Sequence, residues 1–190
     1  MLAGLILAGG QGSRLGGTDK ALLELGGETL LARAQARLAP QVAALALSAN
    51  GDPARFGVLA LPVLPDDPAF AGRGPLAGVL AGLTWAENIG ATALLTLPVD
   101  TPFFPDNLAA SLSPAPAVAV WRGRQHHLVA TWPTSFRAAL AEFLAQPSAY
   151  KVRDALSRCG AAQVDFGAAK DPFLNINTPD DLAAAQARLA

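Results

Sequence analysis

Residues 2–20 read LAGLILAGGQGSRLGGTDK, and this stretch decides the fold class. Leu2–Leu7 is a short apolar run, which predicts a buried strand. The segment Gly9–Gly17 predicts a loop, because five of the eleven residues from Gly9 to Asp19 are glycine. Glycine lets backbone N–H groups approach and point together at a bound anion. The opening of the chain therefore predicts a strand followed by a phosphate-binding loop.

Two cations in this loop, Arg14 and Lys20, favour phosphate binding over a merely flexible turn. Arginine can hold two phosphate oxygens at once, and lysine supplies a mobile point charge. Two familiar glycine motifs do not fit. The dinucleotide fingerprint requires glycine where the chain has Leu15, and the P-loop requires lysine where it has Thr18. For the loop by itself, a flexible turn with solvated charges is the alternative.

Strands and helices alternate along the chain, which predicts one α/β domain over residues 1–190. A late hairpin around Gly123 adds an antiparallel strand to a mainly parallel sheet, with helices on both faces. The predicted strands are Leu2–Leu7, Val42–Leu47, Val58–Leu64, Ala93–Leu97, Ala117–Trp121, Leu128–Trp132 and Gln163–Phe166. The predicted helices are Thr29–Leu38, Pro75–Asn88, Pro105–Leu112, Phe136–Ala145, Ser148–Gly160 and Thr178–Leu189.

The composition excludes several classes of function. The formal net charge is -1 and 15% of the residues are charged, so no basic surface for nucleic acid or anionic lipid is expected. No apolar run reaches the roughly 18 residues that a membrane span needs, and no leader peptide is expected. The single cysteine, Cys159, excludes a disulfide within the chain and favours a reducing, cytoplasmic location.

Asp100 stands out among the loops that follow the predicted parallel strands. Ligands of such sheets lie beyond the carboxyl ends of the strands, so these loops should converge on one cleft. Asp100 is held on a stiff loop between Pro98 and Pro102, where a carboxylate is well placed for Mg²⁺. The competing interpretation is an aspartate that hydrogen-bonds its own turn, and the Asp-Thr-Pro tripeptide alone favours it.

Four motifs together resemble those of the molybdenum cofactor guanylyltransferases, which are nucleotidyltransferases with a Rossmann-like fold. They cover nearly the whole chain and lie at Leu7–Lys20, Gly74–Gly78, Leu97–Pro102 and Asn175–Leu182. The resemblance implies a transfer of GMP from GTP to the phosphate of molybdopterin, with release of pyrophosphate and with Mg²⁺ as cofactor. It implies GTP and molybdopterin as partners, with other cofactor-biosynthesis proteins and molybdoenzyme chaperones as further candidates.

The resemblance also implies roles for individual residues. Arg14, Lys20 and Asp100 would serve catalysis, and Asp100 would bind the metal ion. Asn175 and Asn177 would line the acceptor pocket; bonds to local backbone groups before the next helix are the alternative. The residues expected to bind the nucleotide are Leu7, Ala8, Gly9, Gly10, Lys20, Asn50, Asp67 and Asp100.

The choice of base rests on three segments of the chain. A carboxylate suits the N1–H and N2–H donors of guanine, and the spacing from Gly74 favours Asp67 over Asp66. The cytidylyl relatives tend to have alanine where this chain has Gly9 and a different segment in place of Pro75–Gly78, so the resemblance favours GTP over CTP. A nucleotidyltransferase that uses CTP or a sugar-phosphate acceptor, and a non-catalytic nucleotide-binding protein, are the alternatives.

Two histidines and three tryptophans complete the set of candidate residues. His126 and His127 stand where the family usually has His-Pro, and strand alternation sends their rings to opposite faces. We expect His126 at the surface, with a place at the substrate cleft as the alternative. Trp85, Trp121 and Trp132 are expected to pack in or near the core, and stacking of Trp121 on a pterin is the alternative.

Overall fold

A computed structural model describes residues 1–9, 19–57, 60–146 and 151–189. The described strands are β1 (Leu2–Leu7), β2 (Glu24–Leu25), β3 (Glu28–Thr29), β4 (Ala44–Ser48), β5 (Val63–Leu64), β6 (Ala93–Pro98), β7 (Ala117–Trp121), β8 (Arg124–Pro133) and β9 (Ala162–Asp165). Seven of them form one sheet in the order β5-β4-β1-β6-β8-β7-β9, and β2 pairs with β3 in a separate ribbon. The prediction of a single domain over the whole chain stays a prediction.

The sheet is mainly parallel, as the sequence predicts. Within the described sheet β8 runs antiparallel to both β6 and β7, and the other pairings are parallel. β1 lies between β4 and β6, so successive connections leave β1 towards opposite edges of the sheet. Where connections diverge in this way, a crevice opens at the carboxyl ends of the strands, and ligands of α/β proteins bind there.

Helices cover both faces of the sheet. They are α1 (Leu30–Leu38), α2 (Pro75–Asn88), α3 (Leu108–Ser111), α4 (Arg137–Ala145), α5 (Val152–Cys159) and α6 (Pro179–Leu189). Side chains of β1 alternate between two buried clusters, since Leu5 belongs to one and Ile6 to the other. α1, α3 and α6 contribute to the cluster around Ile6, and α2, α4 and α5 to the cluster around Leu5. The predicted two-sided cover is therefore confirmed.

α2 approaches the sheet closely because two of its core-facing residues are glycine. A Cβ added at Gly82 would lie 2.4 Å from Leu5 Cδ2, and one at Gly78 would lie 2.3 Å from Ser48 Oγ. Both contacted residues belong to strands that end at the crevice, β1 and β4. A side chain at Gly82 would therefore push α2 away from β1, whereas one at Gly78 would require the Ser48 hydroxyl to rotate away.

Two elements are shorter than predicted. β5 has only two residues, because Pro62 before it has no N–H for the ladder. Residues 58 and 59 of that predicted strand lie outside the described part, as does the predicted helix cap at Ser148. α3 begins at Leu108, because the chain from Pro105 first forms a turn that is closed by the Leu108 N–H on the Pro105 carbonyl (3.1 Å).

The tryptophans pack as expected. Trp132 is fully buried and donates Nε1–H to Thr96 Oγ1 (3.1 Å), while Trp85 and Trp121 are half-buried against the two clusters. The Trp121 indole N–H is bonded to the Ala168 carbonyl (2.9 Å). None of the helices in the described part of the chain has both the length and the hydropathy of a membrane-spanning segment.

Candidate active site

The loops that follow β1, β4, β5 and β6 start side by side at one edge of the sheet. Beyond the strand ends, the Ala8 N–H donates to the Ser48 carbonyl (2.9 Å), and the Val99 N–H donates to the Leu7 carbonyl (3.0 Å). The Ala49 N–H likewise donates to the Leu64 carbonyl (3.1 Å). These bonds extend the ladder into the loops, so the predicted convergence is observed.

Asp100 is the most enclosed carboxylate of this edge. Its loop turns sharply after β6, where the Thr101 hydroxyl donates to the Pro98 carbonyl (2.6 Å). The carboxylate is 14% exposed, and both of its oxygens are bonded. Oδ2 accepts from Lys20 Nζ (2.8 Å), and Oδ1 accepts from Asn175 Nδ2 (2.8 Å). The side chain therefore reaches out to two distant segments instead of bonding its own turn.

Asn175 and Asn177 face the same group of side chains, as their alternation predicts. Asn177 Oδ1 accepts from Lys20 Nζ (2.5 Å), and the Ile176 N–H between the two asparagines donates to the Asp100 carbonyl (2.9 Å). Lys20, Asp100 and the two asparagines thus form one cluster, although they are up to 157 positions apart in sequence.

The backbone groups before α6 are satisfied without the asparagine side chains. Asp181 Oδ2 accepts from the N–H groups of Asn177 and Thr178 (2.9 Å each), and the Asp181 N–H donates to Thr178 Oγ1 (3.1 Å). The Asn177 N–H bond lowers the pKa of Asp181, and bonds with Thr178 and the charge of Lys20 act in the same direction. This cap leaves Asn175 and Asn177 free to serve the cluster.

The residues expected to read guanine bond differently from one another. Asn50 Nδ2 donates to Asp66 Oδ2, and the Asp66 N–H donates to Asn50 Oδ1, both at 2.8 Å. Asp67 instead caps a short turn, where its Oδ1 accepts from the Ala69 N–H (2.9 Å). Sequence spacing favours Asp67 for the base, but the side chain that pairs with Asn50 is Asp66. The contact of Asp67 with guanine stays a prediction.

The predicted nucleotide residues at the end of β1 are only partly within the described chain. Leu7 and Ala8 are buried, and Gly9 is exposed with open space where a Cβ would lie. Gly10 and Arg14 lie outside the described residues.

A cleft of about 510 Å³ adjoins Asp100 on the side of β8. It is lined by Pro98, Thr101, Arg124, Gln125, His126, His127, Leu128, Val129, Lys151, Val152, Arg153 and Asn175. Asn175 is shared between this cleft and the Asp100 cluster. Burial lowers the pKa of His127, and the charge of Arg153 lowers it further. Arg124, Lys151 and Arg153 make the cleft positively charged, since its described lining residues include no carboxylate.

The expectation of a surface position for His126 is wrong. Its side chain is 6% exposed, and its ring lies 4.9 Å from the Phe173 ring. Nε2 has no hydrogen-bond partner among the described residues, since Asp171 Oδ1 is 3.8 Å away. Burial lowers the pKa of His126, although the charge of Asp171 acts against it.

An irregularity in the hairpin explains this burial. Val118 pairs with Ala130, but the next residue of β7, Ala119, pairs with His126. The extra residues in β8 turn His126 towards the face of Ala119, because paired residues share a face. Simple alternation from Ala130 would place it on the opposite face, so the sequence pattern did not predict this contact with Phe173.

The chain matches the family model described as "MobA-like NTP transferase domain" over residues 4–161. A protein named molybdenum cofactor guanylyltransferase from Acidiphilium cryptum is 55% identical, covering 98% of this chain and 94% of its own length. Another of that name from Rhodobacter capsulatus is 51% identical, with 99% and 96% covered. The solved structure of molybdopterin-guanine dinucleotide biosynthesis protein A from Archaeoglobus fulgidus superposes with a TM-score of 0.73 at 21% identity, covering 100% of this chain and 98% of that one. The fold is thus that of the nucleotidyltransferases, and the chain belongs to the MobA-like NTP transferase family.

Proposed function

We propose that this protein transfers GMP from GTP to the phosphate of molybdopterin, releasing pyrophosphate and forming a molybdopterin guanine dinucleotide. The observation that carries the proposal is the cluster of Lys20, Asp100, Asn175 and Asn177 at the carboxyl edge of the sheet. Relatives named for this activity align over almost the whole chain. The nucleotide would lie on one side of this cluster and the acceptor on the other, as a transfer between two substrates requires.

The donor nucleotide would lie over the loops that follow β1, β4 and β5. The ammonium of Lys20 would move from Asp100 to the outer phosphates of GTP, since a lysine is a mobile point charge. Asn50 with Asp66 or Asp67 offers amide and carboxylate groups to the donor groups of guanine. A base without matching donors would leave a carboxylate unpaired, which is costly and discriminates between bases.

Asp100 would hold Mg²⁺. Its carboxylate already binds one cation, the Lys20 ammonium, and the asparagines around it add oxygen atoms. The described residues contain no group of three His, Cys, Asp or Glu side chains that could hold a metal ion. A single carboxylate fits Mg²⁺, which usually takes one or two from the protein and completes its shell with phosphate and water. When bound, the ion would neutralise charge on the phosphate oxygens of the donor.

The acceptor would occupy the cleft beside Asp100. Arg124, Lys151 and Arg153 supply positive charge for an anionic molecule, and Asn175 faces both the cleft and Asp100. A volume of about 510 Å³ lies within the range of small-molecule sites. The phosphate of the acceptor would thus point towards the α-phosphorus of GTP.

The reaction needs little from the protein beyond positioning and charge. An oxygen of the acceptor phosphate forms a bond to the α-phosphorus, the bond from that phosphorus to the bridging oxygen breaks, and pyrophosphate leaves. A phosphate monoester is largely ionised near neutral pH, so no general base is required. Lys20 would stabilise the departing pyrophosphate, and Asn175 would orient Asp100. The cytoplasmic location and the further protein partners stay predictions.

The test is incubation of the purified protein with GTP, Mg²⁺ and molybdopterin, with detection of pyrophosphate and of the guanine dinucleotide. CTP in place of GTP, and a sugar phosphate in place of molybdopterin, serve as matched controls. We expect GTP to bind at least about tenfold more tightly than CTP, about 1.4 kcal/mol. Equal product from CTP would contradict the guanylyl assignment, and nucleotide binding without any turnover would support the non-catalytic alternative.

A further inference from the structure

Asp19, the residue before Lys20, has no task in the proposed chemistry, but both of its oxygens are bonded. Oδ1 accepts from the Ala21 N–H (3.0 Å) and so caps the short turn that begins at Lys20. Oδ2 accepts from Nε of Arg55, 36 positions away, at 2.9 Å. The two side chains are only 21% and 29% exposed. The start of the Lys20 turn is therefore tied to the loop after β4.

Arg55 is itself held from several sides. Its guanidinium lies 4.2 Å from the centre of the Phe56 ring, and that ring belongs to the core. Nη1 donates to the Asp52 carbonyl (2.9 Å). A Cβ at Gly51 would come within 3.1 Å of Nη1, and the φ of +83° at Gly51 favours glycine as well. These contacts hold the guanidinium in one position, unlike that of a surface arginine that rotates freely.

We propose that Arg55 is a positioning residue that acts through Asp19 on Lys20. The contacts run from the Arg55 guanidinium to the Asp19 carboxylate, and from there to the turn that starts at Lys20. Lysine has a long flexible side chain, so a fixed backbone origin confines the positions that its ammonium can reach. The inference rests on the proposed function, in which Lys20 contacts the outer phosphates of GTP.

The main experiment is a double-mutant cycle read by calorimetry with GTP and with GMP. We expect R55M to lower the affinity for GTP at least about fivefold and the affinity for GMP less than about twofold, since GMP lacks the outer phosphates. In a K20M background the same change should have no further effect, because the group that it positions is gone. R137M is the matched control: Arg137 also pairs with a carboxylate, Glu87 (2.5 Å), but that pair joins α4 to α2.

Two further measurements keep the inference open to refutation if R55M folds poorly. D19N removes the same ion pair from its other end and should reproduce the selective loss of GTP. The ammonium NMR signal of Lys20, assigned by its absence in K20M, should shift or broaden in R55K, which keeps the charge but loses Nε as a donor.

The outcomes separate the inference from the proposed function. The inference would be overturned if R55M still lowered the affinity for GTP in the K20M background, or if it lowered the affinities for GTP and GMP equally. Either result would show that Arg55 acts directly. If K20M alone weakens both nucleotides equally, the proposed contact of Lys20 with the outer phosphates fails. In that case an unchanged Lys20 signal in R55K overturns the positioning role, and an altered signal supports it.

Discussion

The two sides of the candidate site differ in how their charges are paired. On the donor side the polar groups bond one another: Lys20 with Asp100, and Asn50 with Asp66. On the acceptor side, Arg124 and Lys151 face the cleft without an ion pair to any described residue. Under the proposed function, the donor side must therefore exchange partners when a nucleotide binds, whereas the acceptor side presents positive charge in advance.

This difference predicts different behaviour of the two sides towards ions and substrates. A cation that approaches Asp100 competes with Lys20, so metal and nucleotide should bind there cooperatively. An anion that enters the cleft displaces mainly water and counterions, so its affinity should fall with ionic strength. The predictions below test this contrast in order of decreasing effect.

The largest effect is expected from D100N, which keeps the shape of the side chain and removes its charge. Turnover should fall at least about a hundredfold, about 2.7 kcal/mol of transition-state stabilisation. The variant should still fold, because the asparagine Oδ1 can accept from Lys20 and the Lys20 side chain, 22% exposed, can also reach water. Turnover is measured against Mg²⁺ concentration beside metal-free GTP binding. D165N, which changes an exposed aspartate of β9, is the control. A wild-type dependence on Mg²⁺ in D100N would show that Asp100 does not bind the metal ion.

A second, smaller effect is expected from K20M, which tests the exchange of partners at Asp100. The affinity for GTP should fall about tenfold and the affinity for GMP less than about twofold, because the lost ammonium would face only the outer phosphates. Without nucleotide, Mn²⁺ should bind more tightly to K20M than to the wild type, since Oδ2 of Asp100 no longer accepts from Lys20. Calorimetry gives the first result, and electron paramagnetic resonance of free Mn²⁺ gives the second. Equal Mn²⁺ affinity in the two proteins would remove the argument for competition.

The acceptor side is tested by K151M. The KM for the acceptor should rise about tenfold while kcat and GTP affinity change less than about twofold, because the lost charge faces the cleft alone. The rise should shrink at high salt. R158M is the matched control, since Arg158 lies over the Phe143 ring (4.8 Å) and does not line the cleft. An unchanged KM in K151M would place the acceptor outside this cleft.

The sequence predicts the sheet and the convergence of loops because both follow from local patterns. Apolar runs give the strands, and prolines and caps such as Thr29 give the helix ends. The pairing of Lys20 with Asp100 and Asn177 was not predictable from spacing, since it depends on how remote loops meet in space. Loop composition and position had singled out Lys20 and Asp100 one by one, and only the family resemblance pointed to Asn177. Asp66 and Asp67 illustrate the limit, because a one-residue choice between an Asn50 partner and a turn cap depends on loop geometry.

His126 shows a second limit of sequence patterns. Two-residue alternation is reliable only while the ladder is regular. The irregularity opposite Val118 and Ala119 reverses the face of the β8 residues on the hairpin side of it, while β7 keeps its alternation. Nothing in the sequence around His126-His127 marks that change. The burial of His126 against Phe173 therefore became visible only in the folded chain.

The smallest predicted effect concerns the free energy of unfolding at acidic pH, which the burial of His126 lowers. Burial lowers the pKa of His126 in the folded chain below its ordinary value near 6.5. Below that value His126 becomes protonated in the unfolded chain but stays neutral in the folded chain. The free energy of unfolding therefore falls as the pH falls. One proton contributes at most about 1.4 kcal/mol per pH unit. H126F keeps a ring beside Phe173 and cannot titrate, so its free energy of unfolding should decline less steeply between about pH 7 and pH 5.

Urea unfolding at closely spaced pH values measures this slope. H127F is the comparison, because the pKa of His127 is also lowered, by burial first and then by Arg153, while its side chain is more exposed. We expect the smaller change of slope in H127F. A wild-type slope in H126F would mean that His126 does not titrate differently in the folded and unfolded chains. A large loss of stability in H126F already at pH 8, where both states are neutral, would instead show that the larger phenylalanine ring does not fit the space that the imidazole fills beside Phe173.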